Sequence, residues 1–216
     1  MALLEENLRE NAAMNEEEFR ATDLRHEWRL KEFYQEKTDI VYRRFQIKLK
    51  ELYDSKIDYK DVGTHNLWPL YNWIDVMEKS KFFEDDSFTR EEGNLCFYYS
   101  MFEVVDYQKD ADQHECMDWL SFLEAFGHIA RFKELPRRAE LKALGLDSCC
   151  DLVDKIELEN QTWNNYMARN PPQAEEDPFH VRLEEILKLL FHMLGKANNP
   201  KKGSALGADG VAEPAS

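Results

Sequence analysis

Glycine is scarce in this chain: eight residues in 216, three of them beyond Lys202. That leaves little material for a phosphate cradle, and no Gly-rich nucleotide loop, nucleophile elbow or His-Glu-x-x-His helix is present. Cysteine is limited to Cys96, Cys116, Cys149 and Cys150. The last two are adjacent and form no ordinary bridge, and His114 with Cys116 has no second pair at zinc spacing. Reduced thiols are the expectation. No apolar run approaches the roughly 18 residues of a membrane-spanning helix. Positive charge is also in deficit: 28 Lys and Arg against 43 Asp and Glu leave a net charge of −15. Long-range attraction to nucleic acid or anionic lipid is therefore unfavourable. The opening "MALLEENLRENAAMNEEEF" carries acids where a secretory signal carries bases. The chain is expected in the cytoplasm or cytoskeleton, with neither nucleic acid nor membrane as partner.

Aromatic residues, by contrast, are plentiful, with thirteen Phe, nine Tyr and five Trp. So much ring surface has to be buried, inside the fold or against a partner. Helical periodicity recurs along the chain and strand alternation is almost absent, which predicts an all-α fold. An acidic lead (1–18) precedes a charged helical extension (19–62), whose Tyr34, Val41, Phe45, Leu49 and Leu52 line one side of a long helix over 24–52. Within 63–135, one helix starts near Asn66 with Pro69 in its first turn and Leu67, Leu70, Ile74 and Met77 as its stripe. The next follows a Thr89/Glu92 capping box and carries Leu95, Tyr98, Phe102 and Val105. The segment 136–196 holds a short helix ending near Gly145. Beyond it, a helix capped by Ser148 runs from Leu152 through Met167 to Pro171. A last helix has Asp177 as N-cap, Pro178 in its first turn, and Leu183, Ile186, Leu187, Leu190 and Leu194 inside. The tail 197–216 reads as disordered.

The stretch "MDWLSFLEAFGHIARFKELP" (117–136) is the most apolar helix, and it follows the acidic loop "DYQKDADQHECM". A helix–loop–helix calcium site needs oxygen ligands at alternate loop positions, a glycine at the sixth and a bidentate Glu at the twelfth. Counted from Asp106, the chain supplies Asp106, Gln108, Asp110 and Asp112, but Ala111 stands sixth and Met117 twelfth. Counted from Asp110, Glu115 stands sixth and Ser121 twelfth. The outline survives and the metal chemistry does not, so no metal or other cofactor is expected at this degenerate loop. Met117 is expected to point into the core. His128 reads as a structural histidine, and Glu124 and Asp118 as acids on a solvated face.

Taken together, Phe97, Ser100, Met101, Met117, Phe122, Leu123, Glu124, Ala125, Ile129 and Ala130 stand in an order and spacing that resembles a degenerate EF-hand-like module. Such modules occur in structural proteins of cilia and flagella, and the match spans about residues 94–132. The resemblance implies a non-catalytic component of the axoneme, working among other proteins of a large, microtubule-associated assembly. Trp119, Phe122 and Phe126 are then either internal core or the lining of a groove for a partner helix. Basic clusters at Arg43, Arg44, Lys48 and Lys50, and at Arg131, Lys133, Arg137, Arg138 and Lys142, are local contact candidates or ordinary solvated faces balancing nearby acids. The second class of function is a calcium-responsive adaptor that exposes an apolar groove on binding metal.

Overall fold

A computed structural model describes residues 27–56, 67–84, 88–101, 116–173 and 175–198. The acidic loop with Asp106, Asp110 and Asp112, the lead 1–18 and nearly all of the tail 197–216 lie outside the described residues. The fold is all-α, with one two-residue strand pair among the described residues. The chain divides into two compact units between Gln46 and Ile47.

In the first unit, Arg29–Phe33 forms a π-helical turn, and helix α1 (Glu36–Ser55) begins after it and continues past the division. The expected single helix over 24–52 is thus broken at Tyr34–Gln35. The Tyr34 N–H closes back on the Arg29 carbonyl at 2.7 Å, and the Thr38 hydroxyl donates to the Glu32 carbonyl at 2.7 Å. Those bonds take the place of regular helical ones. The bend lets Phe33 meet Trp28 and Tyr42, at ring distances of 5.5 and 5.8 Å. Val41 and Leu49 are buried along α1 as the stripe predicts, whereas Tyr34, on the bend, is exposed.

In the second unit, the C-terminal part of α1 leads through a connector to β1 (Trp68–Pro69) and helix α2 (Leu70–Lys79). Pro69 lies in the strand, one residue ahead of the helix rather than in its first turn. Helix α3 (Arg90–Ser100) leads through a second connector to β2 (Cys116–Met117) and helix α4 (Trp119–Phe132). β1 and β2 pair antiparallel, Trp68 opposite Met117 and Pro69 opposite Cys116. The Thr89/Glu92 capping box forms, each partner bonding the other's backbone N–H at 3.3 and 2.6 Å. Asp118 caps α4 by accepting from the Ser121 N–H at 2.7 Å.

Three short helices follow, α5 (Arg138–Ala143), α6 (Cys149–Leu158) and α7 (Trp163–Arg169), then the long α8 (Phe179–Asn198). Gly145, at φ 71°, lies just past α5, in the left-handed region that suits glycine. The helix expected from Ser148 to Pro171 is two helices. Asn160 turns left-handed at φ 52°, and the Thr162 hydroxyl starts α7 by accepting from the Asn165 N–H. One oxygen of the Asp177 carboxylate accepts from the N–H of Arg138, the first residue of α5, at 2.7 Å. The Val181 and Arg182 N–H groups of α8 bond the Pro178 carbonyl at 2.9 and 3.2 Å. Helix α8 packs on α4 and α6, so the stretches 63–135 and 136–196 meet within one unit. Its Leu183, Ile186, Leu187 and Leu190 are all buried.

Candidate functional site

Two helix–connector–strand–helix units face each other across the β1–β2 pair, and rings fill the space between them. Trp68 and Met117, the paired strand residues, are both fully buried. The Tyr53 ring stacks on Trp68 at 5.8 Å, Trp68 meets Phe122 edge-on at 4.6 Å, and Phe122 meets Phe126 at 5.1 Å. Trp73 closes the row on Phe126 at 5.2 Å. Edge-to-face pairs of this kind add about 0.5–1.5 kcal/mol each beyond their buried area.

Polar groups within this row reach across elements. The Trp68 indole donates to the Tyr53 carbonyl at 2.8 Å, and the Asn72 amide donates to the Lys56 carbonyl at 2.8 Å. Lys56 also pairs with Asp75 of α2. The ends of α1 and α2 are thereby fixed to each other on either side of their connector. The hydrogen bonds from Lys56 and Lys79 hold the Asp75 carboxyl below its ordinary pKa. Burial pushes the Tyr53 phenol well above its usual range.

The sequence-predicted residues are placed as follows. Phe122 and Phe126 have no exposed surface; they are core, and a partner helix cannot touch them in this conformation. Trp119 is half-buried, with the Lys50 ammonium 5.3 Å from its ring. Met117 stands where the frame from Asp106 puts the closing carboxylate. It points into the core as expected, and the Ser100 hydroxyl donates to its sulfur at 3.4 Å. Ser121, the twelfth residue in the frame from Asp110, is 3% exposed. Neither frame therefore offers a carboxylate at its closing position. Among the described residues no cluster of three His, Cys, Asp or Glu has the arrangement of a metal site.

Glu124 corrects the expectation of a solvated acid. It is fully buried one turn before the buried His128, with the carboxylate 3.4 Å from Nε2. The helix is apolar on nearly every side, so even its acid is enclosed, and the histidine beside it limits the cost. Most basic candidates lie at the surface, but Lys133 is buried and Arg137 half-buried, which corrects the expectation of a solvated face there. Arg43 pairs with Asp39 at 2.8 Å, Lys48 lies 5.6 Å from the Phe191 ring, and Arg137 reaches Glu176 at 3.9 Å. Arg44 and Arg138 are exposed.

The cysteines are free thiols. Burial raises the Cys96 and Cys149 thiols far above their usual range, and burial together with Glu185 pushes Cys150 up to about 11. A thiol so rarely ionised near neutral pH is a poor nucleophile. Sequence reasoning missed one feature entirely, a cavity of about 450 Å³ walled by Phe82, Ile156, Trp163 and Met193 among others. Its walls come from segments far apart in the chain, so no local pattern announces it.

No family model, curated protein or solved structure matches this chain. No described helix is long and apolar enough to cross a membrane.

Proposed function

We propose that the chain is a non-catalytic interaction scaffold, built on a degenerate EF-hand-like pair of helical units, that works among other proteins of a large cytoskeletal assembly. The observation that carries this reading is the β1–β2 pairing of two helix–connector–strand–helix units, with the apolar Met117 buried where a calcium loop needs its bidentate Glu. Such a site loses two of roughly seven oxygen ligands. The ciliary or flagellar axoneme is the assembly to which the resemblance over residues 94–132 points. Exposed large apolar side chains, among them Leu95, Tyr98 and Tyr99 on α3, supply contact surface.

A calcium-responsive adaptor is the second reading, favoured by the oxygen-bearing Asp106, Gln108, Asp110 and Asp112 at alternate positions of the sequence. Calorimetric titration of the whole chain with calcium separates the two. The scaffold reading expects no heat of binding at micromolar calcium, and micromolar affinity would overturn it in favour of the sensor. Crosslinking in isolated cilia followed by mass spectrometry tests the placement, which fails if the chain is recovered without axonemal neighbours.

A further inference from the structure

The cavity lies where the 3₁₀ turn Phe82–Glu84, the end of α4, helix α6, the α6–α7 connector and helix α8 come together. Its volume of about 450 Å³ falls within the range of about 300–1,000 Å³ common for small-molecule sites. Phe82, Val153, Ile156, Trp163, Leu189 and Met193 make its walls predominantly apolar. The charged groups along it are already engaged. Glu84 lies 3.8 Å from Lys81 and Glu157 2.6 Å from Lys196. Lys133, only 4% exposed, has its ammonium 5.7 Å from the ring centres of Phe82 and Phe88 and 6.0 Å from that of Trp163. An ionised ligand would therefore give up its hydration for apolar walls and for charges that have partners.

One donor in the wall has no such partner. Trp163 lines the cavity at the first position of α7, and its indole nitrogen is buried. Among the described residues, no acceptor lies within hydrogen-bond distance of that N–H. Two other indoles of the same unit are satisfied: Trp68 donates to the Tyr53 carbonyl at 2.8 Å, and Trp73 to the Gly93 carbonyl at 2.9 Å. The Ser80 hydroxyl, also in the wall, already donates its single hydrogen to the Met77 carbonyl at 3.0 Å. A buried donor left unpaired is costly, and an acceptor brought by a bound molecule removes that cost. A wholly polar molecule would exchange water for apolar walls without return.

We propose that this cavity binds an uncharged, mainly apolar small molecule that carries a hydrogen-bond acceptor. Its body lies against Ile156, Leu189 and Met193, and its acceptor takes the Trp163 indole N–H. Because that nitrogen is enclosed in a residue only half-buried, the ring turns slightly as the acceptor arrives. The site is separate from the scaffold role and does not depend on it. The test is NMR of the full chain titrated with acetylnaphthalene. Ethylnaphthalene, naphthoate and naphthylmethylammonium, of nearly the same size, are titrated in parallel. Acetylnaphthalene is expected to give saturable shifts at the Trp163 indole N–H and at the methyl groups of Ile156 and Met193. It should bind about fivefold tighter than ethylnaphthalene, as one neutral hydrogen bond implies. Both ions should bind roughly tenfold more weakly than acetylnaphthalene, since an unpaired charge is costlier to bury than one such bond is to lose. Trp163→Phe keeps a ring in place and removes the donor. Acetylnaphthalene should then fall to the affinity of ethylnaphthalene, which itself changes little. If the variant fails to fold, the four probes on the unaltered chain decide alone. The proposal is overturned by an absence of saturable shifts, by shifts confined to other parts of the chain, or by either ion binding as tightly as acetylnaphthalene. Equal affinity for the two neutral probes, or a Trp163→Phe chain that keeps the preference, overturns it as well.

Discussion

Helices α3 and α4 pack against each other, and they hide their inner faces by opposite means. From Ser121 to Ala130 every residue of α4 except Leu123 is buried, and the inner side is lined by Phe122, Phe126 and Ile129. On α3 the buried residues are Gly93, Cys96, Phe97 and Ser100, three of them small, while Leu95, Tyr98 and Tyr99 face outward. The small side is what close approach requires. The Trp73 indole donates to the Gly93 carbonyl at 2.9 Å, and the Phe83 ring lies where a Gly93 Cβ would stand. Close-packed interiors select for the volume that fits, not for the most apolar side chain available.

The largest effect should come from α4. Phe122→Ala removes a ring that touches Tyr53, Trp68, Trp119 and Phe126. The expected loss is about 3–5 kcal/mol, read by urea or thermal unfolding. A melting point close to that of the unaltered chain would mean that the ring row is not what holds the two helical units together.

The same contrast explains what could be read in the sequence. The stripe of α4 was visible because it consists of large residues at helical spacing, and so were the caps at Thr89 and Ser148, which depend only on neighbouring residues. Of the α3 stripe, Phe102 and Val105 fall outside the described residues, while Leu95 and Tyr98 were misread: they face outward, and the inner face is made mostly by small residues that periodicity rules discount. The break at Asn160 and the bond from the Arg138 N–H to Asp177 were also hidden. Each depends on a tertiary partner or on a single backbone angle. At the candidate site, Met117 as a buried apolar residue was legible from its type. The cavity was not, because Phe82, Lys133, Ile156 and Met193 share no sequence neighbourhood.

The small face of α3 can be tested by adding one carbon. Gly93→Ala should gain about 1 kcal/mol of helix propensity. Its new Cβ would stand 2.4 Å from the Phe83 ring, and overpacking costs about 1–3 kcal/mol. A net loss of about 1 kcal/mol is expected in thermal unfolding. Stabilisation instead would show that the Phe83 ring tip yields freely and that α3 does not need a small residue there.

The outer face should give the smallest effect. Leu95 is 43% exposed and Tyr98 50%, so truncating either removes surface already largely in water. Leu95→Ala is expected to change unfolding free energy by less than about 0.5 kcal/mol, the usual range for surface positions. Were the Leu95–Tyr98 stripe the buried one, the same change would cost about 2–5 kcal/mol. The two outcomes differ enough for one pair of melting curves to separate them. If the scaffold reading holds, the double variant Leu95→Ala with Tyr98→Ala also keeps its melting point while losing crosslinks to neighbours in isolated cilia. Stability falling together with those crosslinks would return this face to the core and remove it from the contact surface.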